Sequence, residues 1–202
     1  MVKKKWFYII FFISLALIFY FVLTLLIPGF GKKKVSPVSS VQPFSFINQD
    51  GNTVTEKDVA GKVYIVEYFF THCAGICPMM NKNMRIVYDE LKDKNDFLIL
   101  SHTSDPDRDS SAQLKHYADS MKVDTRHWIF LTGEKIKLYE AARVSYTIDD
   151  PANNLKSIDD QFVHSQFWAL VDKNGQVRKV YDGLKPSEIN KLIKDAKGLL
   201  KE

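Results

Sequence analysis

From Trp6 to Ile27 the chain runs for 22 residues without a charged side chain, interrupted only by Ser14 and Thr24. At about 1.5 Å per residue, a helix of that length covers a hydrocarbon core roughly 30 Å thick. The run therefore predicts one membrane-spanning helix, residues 6–27, behind a short tail of residues 1–5. Trp6, Tyr8 and Tyr20 supply interfacial aromatics, and Pro28-Gly29 stops the helix. A cleaved signal peptide fits less well, because Pro28-Gly29-Phe30-Gly31 lacks the small-residue pattern of a cleavage site and the apolar run is too long. Both cysteines lie far downstream, so no lipid-attachment cysteine is at hand. Three lysines flank the span on each side, and the positive-inside rule does not choose between them. The usual outcome for such an anchor is a translocated domain on the extracytoplasmic side.

Residues 28–43, with Ser36, Pro37, Ser39, Ser40 and Pro43, have no periodicity and read as a tether. Residues 44–202 then suffice for one domain. The formal charge of +4 hides an asymmetry: residues 1–35 hold six lysines and no acid, so residues 36–202 carry −2. A slightly acidic surface without a basic stripe gives no electrostatic footprint for phosphate backbones, and no nucleic-acid partner is expected.

Within the domain the apolar pattern alternates between two periods. Phe44–Ile47 and Thr53–Thr55 flank the turn pair Asp50-Gly51, and Lys62–Phe70 (KVYIVEYFF) has the β-branched and aromatic content of a buried strand. Met79–Lys94 places Met80, Met84, Val87 and Leu91 at helical spacing. Asp96–Ser101 returns to strand, and Asp107 or Asp109 is expected to cap a helix ending near Met121. His127–Leu131 reads as strand and Gly133–Val144 as helix. Gln166–Val171 and Gln176–Tyr181 form a hairpin, and Pro186–Leu200 a last helix. The fold class is α/β: a mixed sheet with helices on both faces, compatible with a thioredoxin-like fold and preceded by one transmembrane helix.

The only two cysteines, Cys73 and Cys77, fall between the buried strand and the next helix, in Thr71-His72-Cys73-Ala74-Gly75-Ile76-Cys77-Pro78. Pro78 suits a first helical turn and puts Cys77 near the N-cap, where amide groups and the helix dipole favour its thiolate. Gly75 is expected to let the loop turn tightly. Two thiols so spaced can converge on a soft metal ion or close into a disulfide, and spacing does not choose. The bland alternative is a pair of small buried hydrophobes. A further ligand has five candidates. His72 is a neighbour of Cys73 and a modulator of its ionisation. His102 ends a strand, His116 lies on a helix face, and His127 starts a strand. His164 follows an acidic loop (Asp149, Asp150, Asp159, Asp160) and could fold over the cysteines. Met79, Met80 and Met84 read as core filling rather than thioether ligands.

These segments together resemble the Sco/SenC proteins, membrane-anchored thioredoxin-like copper proteins of cytochrome c oxidase assembly. Phe70–Pro78 is similar to the family's cysteine motif, Ser104-Asp105-Pro106-Asp107-Arg108-Asp109 to its D-P-x-R-D stretch, and Phe130-Leu131-Thr132-Gly133 to its L-T-G turn. Phe162-Val163-His164-Ser165, followed by Leu170–Gly175, is similar to its V-D-H-S…D-x-x-G segment. The resemblance implies copper ligation by Cys73, Cys77 and His164, with the cysteines also a redox-active pair able to form a disulfide. Ala74 stands where a proline is usual, and Val163 directly precedes the histidine without the common aspartate. Copper agrees with the donor types, since Cu(I) favours thiolates and an imidazole completes a site that also takes Cu(II), whereas zinc would want a fourth ligand.

The implied function is a metallochaperone, with thiol-disulfide reductase chemistry on the same cysteines, that prepares the CuA site of cytochrome c oxidase. Its partners would be the oxidase's copper-bearing subunit, a copper donor and a thiol reductant. A thiol–disulfide oxidoreductase without a copper role is the alternative. A peroxidase fits poorly, because Thr71 lies only two residues before Cys73 instead of three as in T-x-x-C.

Overall fold

The computed structural model describes residues 2–26, 36–149, 157–158, 161–163 and 165–202, and the chain divides into two units, Met1–Val35 and Ser36–Glu202. Helix α1 (Val2–Leu26) is the described part of the first. Its Lys4–Leu26 stretch has a mean hydropathy of 2.9 and is long and apolar enough to cross a membrane. The hydroxyls of Ser14 and Thr24 within it are satisfied by the helix's own backbone: Ser14 donates to the Phe11 carbonyl at 2.8 Å and Thr24 to that of Phe21 at 2.7 Å. That pairing removes the cost of an unpaired polar group in lipid. Ile27 and Pro28-Gly29 lie outside the described residues.

The second unit is built on one sheet. Its strands are β1 (Ser39–Ser40), β2 (Ser45–Asn48), β3 (Thr53–Thr55), β4 (Val63–Phe69), β5 (Phe97–Thr103), β6 (Trp128–Thr132), β7 (Phe167–Val171) and β8 (Gln176–Asp182). Their spatial order is β1-β8-β7-β4-β5-β6-β2-β3. The central β4, β5 and β6 are parallel, and the flanking pairs are antiparallel. Ser39 and Ser40 fall in the stretch expected as a tether, yet they pair with Val177 and Gln176 and close one edge.

Helices α2 (Cys77–Leu91), α3 (Ser111–Met121) and α5 (Pro186–Leu199) pack on one face of this sheet. Met80, Met84, Val87 and Leu91 of α2 meet Val63, Ile65 and Phe69 of β4 there, as the helical spacing demands. The alternate residues of β4, Tyr64, Val66 and Tyr68, enter a second core with α4 (Lys135–Glu140). Because both faces are covered, every residue of β4 and β5 is buried, which explains their nearly unbroken apolar runs.

Two expectations are corrected. The cap of α3 is Ser110, whose hydroxyl accepts the Gln113 N–H at 3.3 Å, and not Asp107 or Asp109. The helix expected over Gly133–Val144 starts at Lys135 and widens into a π-helical turn over Ala141–Ser145. That turn buries Arg143, which reaches Asp149 at 2.8 Å in an ion pair shielded from water. Burial of a charge in this way requires a charged partner.

Candidate metal centre

The chain leaves the C-terminal end of β4 at Phe69, turns through residues 70–76 and enters α2 at Cys77. This is where open α/β sheets bind ligands. Cys77 is 5% exposed, Cys73 is half-buried, and both are free thiols. Burial acts against a charge on Cys73, but a hydrogen bond from the Cys77 thiol and the backbone N–H groups of Cys77, Gly75 and Ile76 outweigh it. The Cys73 thiol is thereby held below its ordinary pKa. Cys77 is pushed up to about 12, first by burial, then by its bond to Cys73 and the charge that Cys73 carries. Of the two thiols, Cys73 is therefore the one that loses its proton more readily.

This reverses the sequence expectation, which gave the stabilised thiolate to Cys77. Ile76 is the N-cap and the first amides of α2 face back toward the loop, so the sulfur they stabilise is the one that precedes the helix. Gly75 is also less constrained than expected. Its φ is not positive, and a Cβ there would meet the Cys73 Sγ at an ordinary 3.9 Å.

The loop is fastened by a residue whose role the sequence did not disclose. Asp109 is fully buried, and its carboxylate accepts the Thr71 N–H at 3.1 Å, the Thr71 hydroxyl at 2.5 Å and the Thr103 hydroxyl at 2.6 Å. Ser104 N–H also donates to the Phe69 carbonyl at 2.7 Å, binding the ends of β4 and β5 together. Asp109 therefore ties the start of the cysteine loop to the sheet. Asp105 and Arg108 of the same acidic stretch form an outer ion pair at 3.8 Å.

A second unforeseen group is Glu67, the lone charge in the β4 run and fully buried. Burial raises its pKa from 4.5 to about 7, while hydrogen bonds from Ser101 and Trp168 hold it down from a higher value. The Ser101 hydroxyl donates at 2.6 Å and in turn accepts the Trp128 indole N–H at 2.8 Å. The second Glu67 oxygen and the Trp168 indole nitrogen lack a hydrogen bond of ordinary geometry among the described residues. The Glu67 charge contributes to the upward push on Cys77. The signal for it was present in the sequence as the single charge interrupting KVYIVEYFF.

His164 lies outside the described residues. On either side of it, Val163 is buried in the second core, and the Ser165 hydroxyl donates to the Ile148 carbonyl at 2.6 Å. The Phe162 ring packs edge-on against Phe70 with centroids 5.0 Å apart, which brings this segment to the cysteine loop. The other histidines are dispersed. His102 is fully buried on the face opposite α2, among Phe46, Tyr68 and Tyr146, and burial pushes its pKa down to about 3. His116 is exposed on α3, and His127 precedes β6. Among the described histidines only His72 adjoins the thiols, as the neighbour of Cys73. Met80 and Met84 fill the core as expected, but Met79 is 59% exposed.

Residues 33–201 match the model of the SCO1/SenC family. The chain belongs to this family. It is 34% identical over 161 residues to the SCO1 protein homolog of Bacillus subtilis, covering 78% of this chain and 81% of the relative. Among solved structures, it superposes with a TM-score of 0.68 on BsSco, described as a member of the Sco family of cytochrome c oxidase assembly proteins with a disulfide switch. That match is 32% identical and covers 82% of this chain and 96% of the other. Arabidopsis thaliana ScoI, solved with copper bound, superposes with a TM-score of 0.61 at 29% identity, covering 81% and 97%. The SCO1/SenC membership and these superpositions bear out the thioredoxin-like fold read from the sequence.

Proposed function

We propose that this SCO1/SenC protein is a membrane-anchored copper-binding assembly factor that loads, or reduces the cysteines of, the CuA site of cytochrome c oxidase. The observation that carries the reading is the pair of free thiols Cys73 and Cys77 held together at the strand-to-helix turn. Such a pair offers two thiolates when its protons leave, Cys73 more readily than Cys77, which suits a soft cation such as Cu(I). His164, between two fastened residues of a segment packed against Phe70, is the third ligand. Copper is the cargo here. Of the two thiols Cys73 takes it before Cys77, which releases its proton to solvent as it follows, and Asp109 holds the loop in place through Thr71.

The same asymmetry serves thiol exchange. The Cys73 thiolate attacks a disulfide of the client, whose distal sulfur leaves as thiolate. Cys77, once deprotonated, attacks Cys73 and releases the client's second thiolate. The client gains two electrons and this chain forms a disulfide, which then cannot bind copper. Helix α1 anchors the domain on the extracytoplasmic side and raises its concentration near a membrane-embedded client. The copper-bearing oxidase subunit receives the metal, and a copper donor and a thiol reductant restore the starting state.

The test is copper binding by the reduced chain beside Cys73→Ala, Cys77→Ala and His164→Ala. Close to one copper per chain is expected in the parent, with at least a tenfold loss of affinity in each variant. Retained thiol exchange and oxidase assembly in His164→Ala, with copper binding lost, would instead favour a thiol–disulfide oxidoreductase.

A further inference from the structure

The proton count around Thr71 determines the state of its neighbour. The Thr71 hydroxyl has one proton and two acceptor positions. Its proton goes to the Asp109 carboxylate at 2.5 Å, because a carboxylate has none to give. One acceptor position takes the Gln113 side-chain N–H at 3.2 Å. The other faces His72 Nδ1 at 3.0 Å. With the hydroxyl proton already committed, that contact is a hydrogen bond only if His72 Nδ1 carries the proton. In its neutral form His72 is then the Nδ1–H tautomer, and Nε2 bears the lone pair.

Asp109 is fully buried and held from a second side by Thr103, so the relay has a rigid origin. His72 itself is exposed and directly precedes Cys73. An imidazole whose distal N–H is engaged by an oxygen backed by a carboxylate is the arrangement that prepares a histidine for metal ligation.

We propose that His72 is an entry ligand for Cu(I), fixed by Thr71 and Asp109 in the tautomer that presents Nε2 to the metal before Cys73 and Cys77 take it. The inference rests on the copper-binding reading above and adds a ligand to it. His72 accepts the ion at the exposed rim, where a donor can reach, and the half-buried Cys73 thiolate stands next in the chain. The ion changes ligands without a change in oxidation state, and the proton displaced is that of Cys77.

Two measurements on the reduced full chain in detergent test it. Long-range 1H–15N correlation spectra at alkaline pH, without metal, are expected to show His72 as the Nδ1–H tautomer, and Thr71→Val to abolish that preference. An Nε2–H signature in the parent overturns the proposal. In stopped-flow mixing with Cu(I) supplied as its acetonitrile complex, His72→Gln is expected to take up copper about tenfold more slowly than the parent. Replacement of the exposed His116 by Gln serves as the control at the parent rate. A His72→Gln rate equal to the parent's overturns the entry role alone. Failure of the parent itself to take up Cu(I) overturns the copper reading with it, and the two failures are distinguished by whether the parent loads.

Discussion

Replacing Glu67 by Gln is expected to make the domain more stable in alkaline solution and to flatten its dependence on pH. The folded state holds the Glu67 proton up to about pH 7, whereas the unfolded chain releases it near 4.5. Below the lower value both states bind the proton and the group contributes fully. As pH rises between the two values, only the unfolded state gives up its proton, so stability falls by about 1.4 kcal/mol per unit and then levels off. The total loss is about 3 kcal/mol, of which Glu67→Gln relieves the wild-type chain. Urea unfolding of the reduced chain and the variant at pH 4.5, 6 and 8 measures this, because other titrating groups cancel in the difference. An advantage of the variant that does not grow with pH would contradict the placement of the carboxyl. The variant also removes a charge that opposes the Cys77 thiolate, so Cys77 is expected to react with alkylating agents at lower pH.

The second large effect is steric. Gly183 follows β8, and a Cβ at this position would lie 2.4 Å from Trp168 Cε2 and 2.8 Å from its Nε1. Trp168 is fully buried in the core that holds α2. At such a distance the buried indole or the backbone must shift, so Gly183→Ala is expected to cost about 2–4 kcal/mol. Because Trp168 also bears on Glu67, the damage is expected to reach the thiols as a changed Cys77 reactivity. Gly198→Ala is the control, since nothing lies within 4 Å of a Cβ there. Thermal unfolding of the two variants in parallel decides the point, and equal midpoints would contradict the close approach.

What the sequence disclosed and what it withheld divide along the range of the interactions concerned. The strand β4, the helix after Cys77 and the terminal hairpin and helix are written in local apolar period, so their existence was legible to within a few residues. The pairing of Ser39 and Ser40 with β8 joins residues far apart in the chain, and no local pattern marks it. The cap of α3 was misplaced by one residue because Asp109, an equally good cap by type, is drawn inward to Thr71 and Thr103 and leaves Ser110 to cap. The order of ionisation in the cysteine pair was inverted for a similar reason. Proximity to a helix start suggested Cys77, but the amides point at the residue that comes before the helix and leave Cys77 in the core. The π-helical turn at Ala141–Ser145 reads as ordinary helix in sequence, and the buried Arg143–Asp149 pair that accompanies it is a tertiary contact.

The central claim is that Cys73 and Cys77 bind copper as a reduced pair, with an imidazole from the segment fastened to Phe70. X-ray absorption at the copper edge of the reduced, copper-loaded chain tests this most directly. The expected result is a shell of two sulfurs and one imidazole nitrogen, with the nitrogen lost in His164→Ala and the metal released when the pair is oxidised. A copper shell without sulfur, or copper held equally by the oxidised chain, would contradict it.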